Sequence, residues 1–138
     1  MAVHGGVLRM STPGNGHVVD LTAGVASIVR TSGVEQGLVS VFATGSTVAI
    51  TTMEYEPGGV ADLQLLLDRL VPPLADYEHN RRNHDTNAHA HMRAALIGAS
   101  QTIPLLGGRL ALGTWQQLVL IDFDDRPRER EVTVQVVS

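Results

Sequence analysis

The sequence predicts a single α+β domain over residues 1–138, mainly antiparallel β-sheet with about three helices. Three observations carry this. A chain of 138 residues, 43% of them hydrophobic, suits one domain with a substantial core. Short runs rich in β-branched residues recur along it, separated by Gly, Pro and small polar residues. Few segments carry helical apolar spacing, so the β-structure forms the majority.

Leu8–Met10 and Val18–Leu21 are expected as short strands around the turn Pro13-Gly14-Asn15-Gly16. Thr22 is placed to cap a short helix over Val25, Ile28 and Val29, with Gly33 ending it. Gly37–Ala43 and Val48–Glu54 are two further strands, joined by the polar connection Thr44-Gly45-Ser46-Thr47. Pro57-Gly58-Gly59 then breaks the pattern before the clearest helix, Val60–Val71. Its apolar stripe is Val60, Leu63, Leu66, Leu67 and Leu70, with Asp62 and Arg69 facing away, and Pro72-Pro73 stops it. The next segment has the composition of a polar loop, leading into a helix near Ala88–Ile97. Strands at Thr102–Leu105, Arg109–Gly113, Gln117–Asp122 and Glu131–Val137 finish the chain, with no repeat or interdomain linker.

Composition narrows the function. Charged residues are only 17%, which points to surface covered by other subunits. Without cysteine there is neither disulfide nor thiolate zinc site, so any metal must be held by His, Asp, Glu or Asn. All ten basic residues are arginine, which excludes a Schiff-base or P-loop lysine and leaves arginine to hold phosphate or carboxylate. The same bias also fits a GC-rich genome. A net charge of −4 argues against a nucleic-acid partner. No stretch of 18 apolar residues and no basic-then-apolar leader pattern occurs, so a cytoplasmic protein with no membrane partner is expected.

The densest chemistry lies between Tyr77 and His91, where four of the six histidines fall in thirteen positions beside Asp85 and Asn87. Imidazole is the side chain best suited to proton transfer near neutral pH and the commonest metal ligand. In a helix over Ala88–Ile97, His89 and His91 lie roughly 200° apart and cannot enter one site. His89 shares a stripe with Met92, Arg93 and Leu96, and His91 with Ala88, Ala95 and Gly98, whose small side chains permit close approach. Asp85 or Asn87 is placed to cap the helix, whose free amides also favour an anion. His79, Asp85 and His91 are the candidate catalytic and metal-ligating residues, with Asp85 expected within direct or one-water reach of His91. The spacing matches no metal motif. The plain alternative is a capping residue beside surface or interface histidines, and it is favoured for His84 and His89.

Two further groups stand out. In an extended chain Arg126, Arg128 and Arg130 share one face and Glu129 and Glu131 the other, either as a salt-bridged strand or as a clamp for phosphate or carboxylate. Trp115 beside Gln116 could stack on a flat ring and hydrogen-bond it, or anchor a core or interface. Glu54, at a strand end, has no obvious structural need.

Taken together, GLVSVFATGSTVAITTMEYEPG (37–58), the YEHN…HDTNAHAHMRAALIG segment (77–98), IPLLGGRLALGTWQQLVLIDFD (103–124) and RPRER (126–130) resemble the YjbQ-type family, the secondary thiamine-phosphate synthase enzymes. The resemblance runs from about Leu8 to Val137. It implies a compact α+β fold assembled as a homotrimer, with polar pockets near subunit boundaries. His79, Asp85, Asn87 and His91 match the family's polar positions, and Ser46, Thr47, Glu54, Trp115, Gln116 and Arg128 match its supporting ones. Asn87 and these supporting residues are the expected substrate-binding set. Many members carry His-Thr-Thr where this chain has Gly45-Ser46-Thr47, and Asn where Met53 stands. The Gly-Ser-Thr version resembles a sub-branch, so a mechanism that needs histidine at 45 does not transfer. The activity implied is a side-activity joining a pyrimidine pyrophosphate to a thiazole phosphate.

Three functions follow as expectations. The first is a thiamine-phosphate synthase-like transferase acting on a phosphorylated small molecule, with arginine, helix amides or a divalent metal (zinc or magnesium) stabilising the leaving pyrophosphate. The second is a non-catalytic trimer that binds a small ligand or metal. The third is a structural or interaction protein.

Overall fold

Along β8 (Arg128–Val137), Arg130, Val132, Val134 and Val136 are buried while Glu129, Glu131 and Gln135 are exposed. That two-residue period belongs to a sheet covered on one face only. In the computed structural model, which describes residues 1–138, β8 lies in a five-stranded sheet. Its neighbours are β1 (Val3–Thr12) and β3 (Gln36–Ala43), and β5 (Ser100–Leu106) and β6 (Arg109–Leu110) continue the sheet beyond β3. The second sheet has three strands in the order β2 (His17–Asp20), β7 (Gln117–Asp122), β4 (Val48–Met53). Every pairing is antiparallel.

The smaller sheet lies in the middle and buries both faces. One packs Val48, Ile50, Leu118 and Leu120 against Val39, Val41, Val132 and Val134 of the larger sheet. Helix α1 (Thr22–Ser32) enters this core through Val25 and Val29. The other face packs Ala49, Val119, Ile121 and Phe123 against Leu67 of α2 (Pro57–Leu70) and Ala90 and Ala94 of α4 (Ala88–Ile97). Alanine facing alanine brings α4 close to β4, which fixes the height of the histidines on that helix. No helix covers the outer face of the larger sheet.

The α+β class holds, with four helices rather than three. The additional one, α3 (Glu78–Asn83), occupies the expected polar loop. It has no buried residue to give it a period, and pairs between Glu78 and both Arg81 and Arg82 support it instead. Thr22 does not cap α1 but is its first residue; its hydroxyl accepts from the Leu118 amide at 3.0 Å. Gly33 ends α1 in the left-handed conformation, as expected. Pro57-Gly58-Gly59 is the first turn of α2 rather than a break, because the Glu56 carboxylate accepts from the amides of Gly58 and Gly59, at 2.8 Å each. In the expected α2 stripe only Leu67 is buried; Leu66 and Leu70 face outward. The first strand is longer than Leu8–Met10, and the one expected at Arg109–Gly113 is shorter, ending at Leu110.

Candidate functional site

His79 on α3 and His91 on α4 meet, with ring centroids 4.7 Å apart and planes inclined at 51°. Both are half-buried. His91 Nδ1 lies 3.2 Å from the Ser46 carbonyl oxygen, which can only accept, so Nδ1 carries the proton. His79 Nδ1 lies 3.1 Å from Asn80 Oδ1, and that oxygen also accepts from the Ala88 amide at 3.0 Å. Its acceptor role there puts the proton of His79 on Nδ1 as well. When neutral, each ring is therefore held in the tautomer that leaves its Nε2 lone pair free for a ligand or a proton.

Asn80, which the sequence reading missed, links the two helices that carry these histidines. Neither Asp85 nor Asn87 caps α4 through its side chain; Asn80 reaches across from α3 to do so. Asp85 accepts from the Thr86 amide and lies 3.7 Å from Arg126, and it hydrogen-bonds neither histidine. No three His, Cys, Asp or Glu side chains converge to hold a metal ion, so the set His79, Asp85 and His91 does not form a divalent-metal site within one chain.

Behind Ser46 lies a buried charge network. Arg130 grips Asp122 with Nε and Nη2, both at 2.7 Å, and Nη2 also reaches the Thr47 hydroxyl at 2.7 Å. Thr12 donates to the same Asp122. Asp124 receives Arg128 Nε at 2.8 Å and Thr47 at 3.1 Å. Burial acts to raise the pKa of Asp124, but hydrogen bonds from Arg128, the Asp125 amide, Thr47 and Asn87 outweigh it and hold the pKa at about 2. Asp122 behaves alike: burial raises its pKa, and Arg130, Thr12 and the Asp124 amide bring it below the ordinary value. Asn87 donates to Asp124 at 3.4 Å, while its own Oδ1 is buried without a partner.

Asp122 was not singled out from sequence, and Arg130 was read only together with Arg126 and Arg128, as a salt-bridged strand or an anion clamp. Its burial could have been read from strand parity, which it shares with Val132, Val134 and Val136. The expected single face of three arginines is only partly formed. Arg126 precedes the strand and lies near Asp85 and Asp125, Arg128 is half-exposed, and Arg130 is inside.

The two histidine stripes of α4 separate as the helical phase requires. His91, Ala95 and Gly98 line a cavity of about 310 Å³ together with Gly45 and Ser46. His89 and Arg93 line another, of about 320 Å³, with Thr86, Phe123 and Asp125. Burial, then the charge of Arg93, lowers the pKa of His89, and its Nδ1 has no partner. Glu54, Trp115 and Gln116 stand elsewhere. Register places Val48 opposite Asp122 and Met53 opposite Gln117, so these three gather at the far end of β4, about 17 Å from Ser46. There Gln116 bonds Thr52 at 3.0 Å, and Trp115 is 73% exposed and anchors no core.

Two antiparallel sheets backed by helices, with a histidine pair over an arginine–carboxylate network, define the class of this fold and site. The model of the UPF0047 protein YjbQ-like family matches residues 7–138, and the chain belongs to that family. A UPF0047 protein of Methanothermobacter thermautotrophicus is 37% identical over 138 residues, covering 100% of this chain and 94% of that protein. One from Archaeoglobus fulgidus is 36% identical over 130 residues, covering 94% and 98%. Among solved structures, a protein of unknown function from Sulfolobus solfataricus superposes with a TM-score of 0.93 at 34% identity, covering 98% of this chain and 96% of that one. A hypothetical protein from Aeropyrum pernix gives 0.90 at 35%, covering 97% and 98%. No helix is long and apolar enough to cross a membrane.

Proposed function

We propose that this protein is a cytoplasmic enzyme of the secondary thiamine-phosphate synthase type, acting on a phosphorylated small molecule and joining a pyrimidine pyrophosphate to a thiazole phosphate as a side activity. The observation that carries the reading is the His79–His91 contact, with both Nε2 atoms free, beside the arginines of β8. In that reaction the bond between the rings forms as the bond to pyrophosphate breaks, and pyrophosphate departs with the electron pair. His91 then serves as acid or base, His79 holds its ring in place and shares the proton, and the outer nitrogens of Arg128 bind departing oxygens.

The active unit in this reading is a homotrimer. The low charge content and the uncovered, partly apolar face of the larger sheet support it, as does the separation of the candidate residues between the two ends of β4. Glu54, Trp115 and Gln116 of one subunit would complete the histidine end of another. The test is pyrophosphate release by the purified protein given both substrates. Turnover should fall about a hundredfold or more in His91→Ala and His79→Ala. Unchanged turnover in both variants would refute the assignment.

One observation favours the alternative, a ligand-binding trimer without turnover. Asp122 and Asp124 are tied into ion pairs, and Asp85 lies near Arg126, so no free carboxylate stands beside the histidines. Saturable binding of both substrates with no product would support it.

A further inference from the structure

The connection between β3 and β4 leaves one nitrogen of a buried arginine exposed to a ligand. Arg130 is only 8% exposed, and its Nε and Nη2 are engaged by Asp122 and Thr47. Its Nη1 makes no hydrogen bond within the chain and is not among the sealed, unpartnered atoms, so it reaches solvent. What it faces is Gly45. A Cβ at this position would lie 2.8 Å from Nη1 and 3.0 Å from Val48 Cγ1. The guanidinium cannot easily yield, because Asp122 holds it by two bonds. The φ of +148° at Gly45 is a second, separate barrier to any larger residue. Gly45 also borders the cavity of His91.

We propose that Arg130 Nη1, kept open by Gly45, anchors a phosphoryl oxygen of the ligand handled by His79 and His91. Gly45 is thereby a specificity-determining position. The inference rests on the reading that this ligand is phosphorylated, and it names the atom that recognises the phosphate. Arg128 Nε and Arg130 Nη2 approach the same oxygen of Asp124, at 2.8 and 4.0 Å, so the two guanidinium groups are neighbours. A tetrahedral group with several anionic oxygens can address both, where a single carbonyl cannot. Asp122 and Asp124 balance the two arginines in charge. Recognition therefore comes from directed N–H donors rather than a positive field, and the affinity depends only weakly on salt.

The experiment titrates inorganic phosphate into the protein, followed by calorimetry and by the side-chain nitrogen signals of ¹⁵N-labelled arginine. The Arg130 signals of the unaltered protein are expected to shift saturably. Gly45→Ala should weaken phosphate binding roughly tenfold or more. Gly107→Ala also puts a side chain at positive φ, +58°, but into open space, and should leave affinity unchanged. The arginine signals need no variant, so the proposal remains open to refutation even if Gly45→Ala unfolds. Phosphate that binds while Arg130 stays unmoved overturns this inference and spares the phosphorylated-ligand reading. No binding at all overturns both.

Discussion

The two histidines that meet were made different from their neighbours by single acceptor atoms. The Ser46 carbonyl and the Asn80 amide oxygen each accept a hydrogen bond from a ring Nδ1, which leaves each Nε2 without a partner in the chain. The carboxylates behind them serve another end. The folded pKa of Asp124, about 2, lies below its ordinary 3.8, so the folded chain binds this proton less readily than the unfolded one. Its contribution is therefore complete above about pH 4 and disappears as pH falls to about 2. Asp124→Asn should cost about 2 kcal/mol at pH 7 and flatten this part of the acid limb. Urea denaturation of both proteins between pH 2 and 7 measures it. Identical pH profiles would mean that Asp124 gains nothing from Arg128 and Thr47.

At the scale of elements, α3 is the decisive piece. It has six residues and no buried side chain, yet it supplies His79 and the cap of α4. Capping from a separate helix couples the two: if α3 frays, α4 loses an amide partner and His79 loses its fixed tautomer. Asn80→Ala is expected to destabilise the protein by about 1 kcal/mol and to lower turnover as well. Asn80→Asp keeps an acceptor and should recover most of the stability. Thermal melts and turnover of the two variants decide the matter; equal loss in both would remove the capping argument.

At the scale of the molecule, the outer face of the larger sheet carries the cross-strand rows Val3–Val137–Leu38–Pro104 and Val7–Thr133–Phe42–Ser100. Leu38 and Phe42, at its middle, are 51% and 47% exposed. A single charge among these rows would oppose burial against another subunit while leaving the inner core intact. If the proposed trimer buries this face, Phe42→Asp shifts the particle toward monomer in light scattering, with the far-UV spectrum unchanged. A trimer of undiminished stability would place the contact elsewhere. The shared-site proposal has its own test. Mixed trimers of His91→Ala and Glu54→Ala subunits should regain part of the activity that each homogeneous variant lacks. No recovery on mixing would confine each site to one chain.

Much of this was legible in the chain, and the divide between what was and was not follows from the range of the interactions. Strand periods, the helix over Ala88–Ile97 and the opposed directions of His89 and His91 are set by neighbours within a few residues, so the sequence by itself determined them. Gly33 ending α1 belongs with them. Helix α3 escaped because local ion pairs and a distant cap replace the apolar face that makes a helix readable. The Arg130–Asp122 fork brings two strands together across the β7–β8 connection, and His79 meets His91 across a turn, so no spacing rule could reveal either. The tertiary structure alone also divided the candidate residues between opposite ends of β4, because β-pairing register, not proximity in the chain, decides which strand ends coincide.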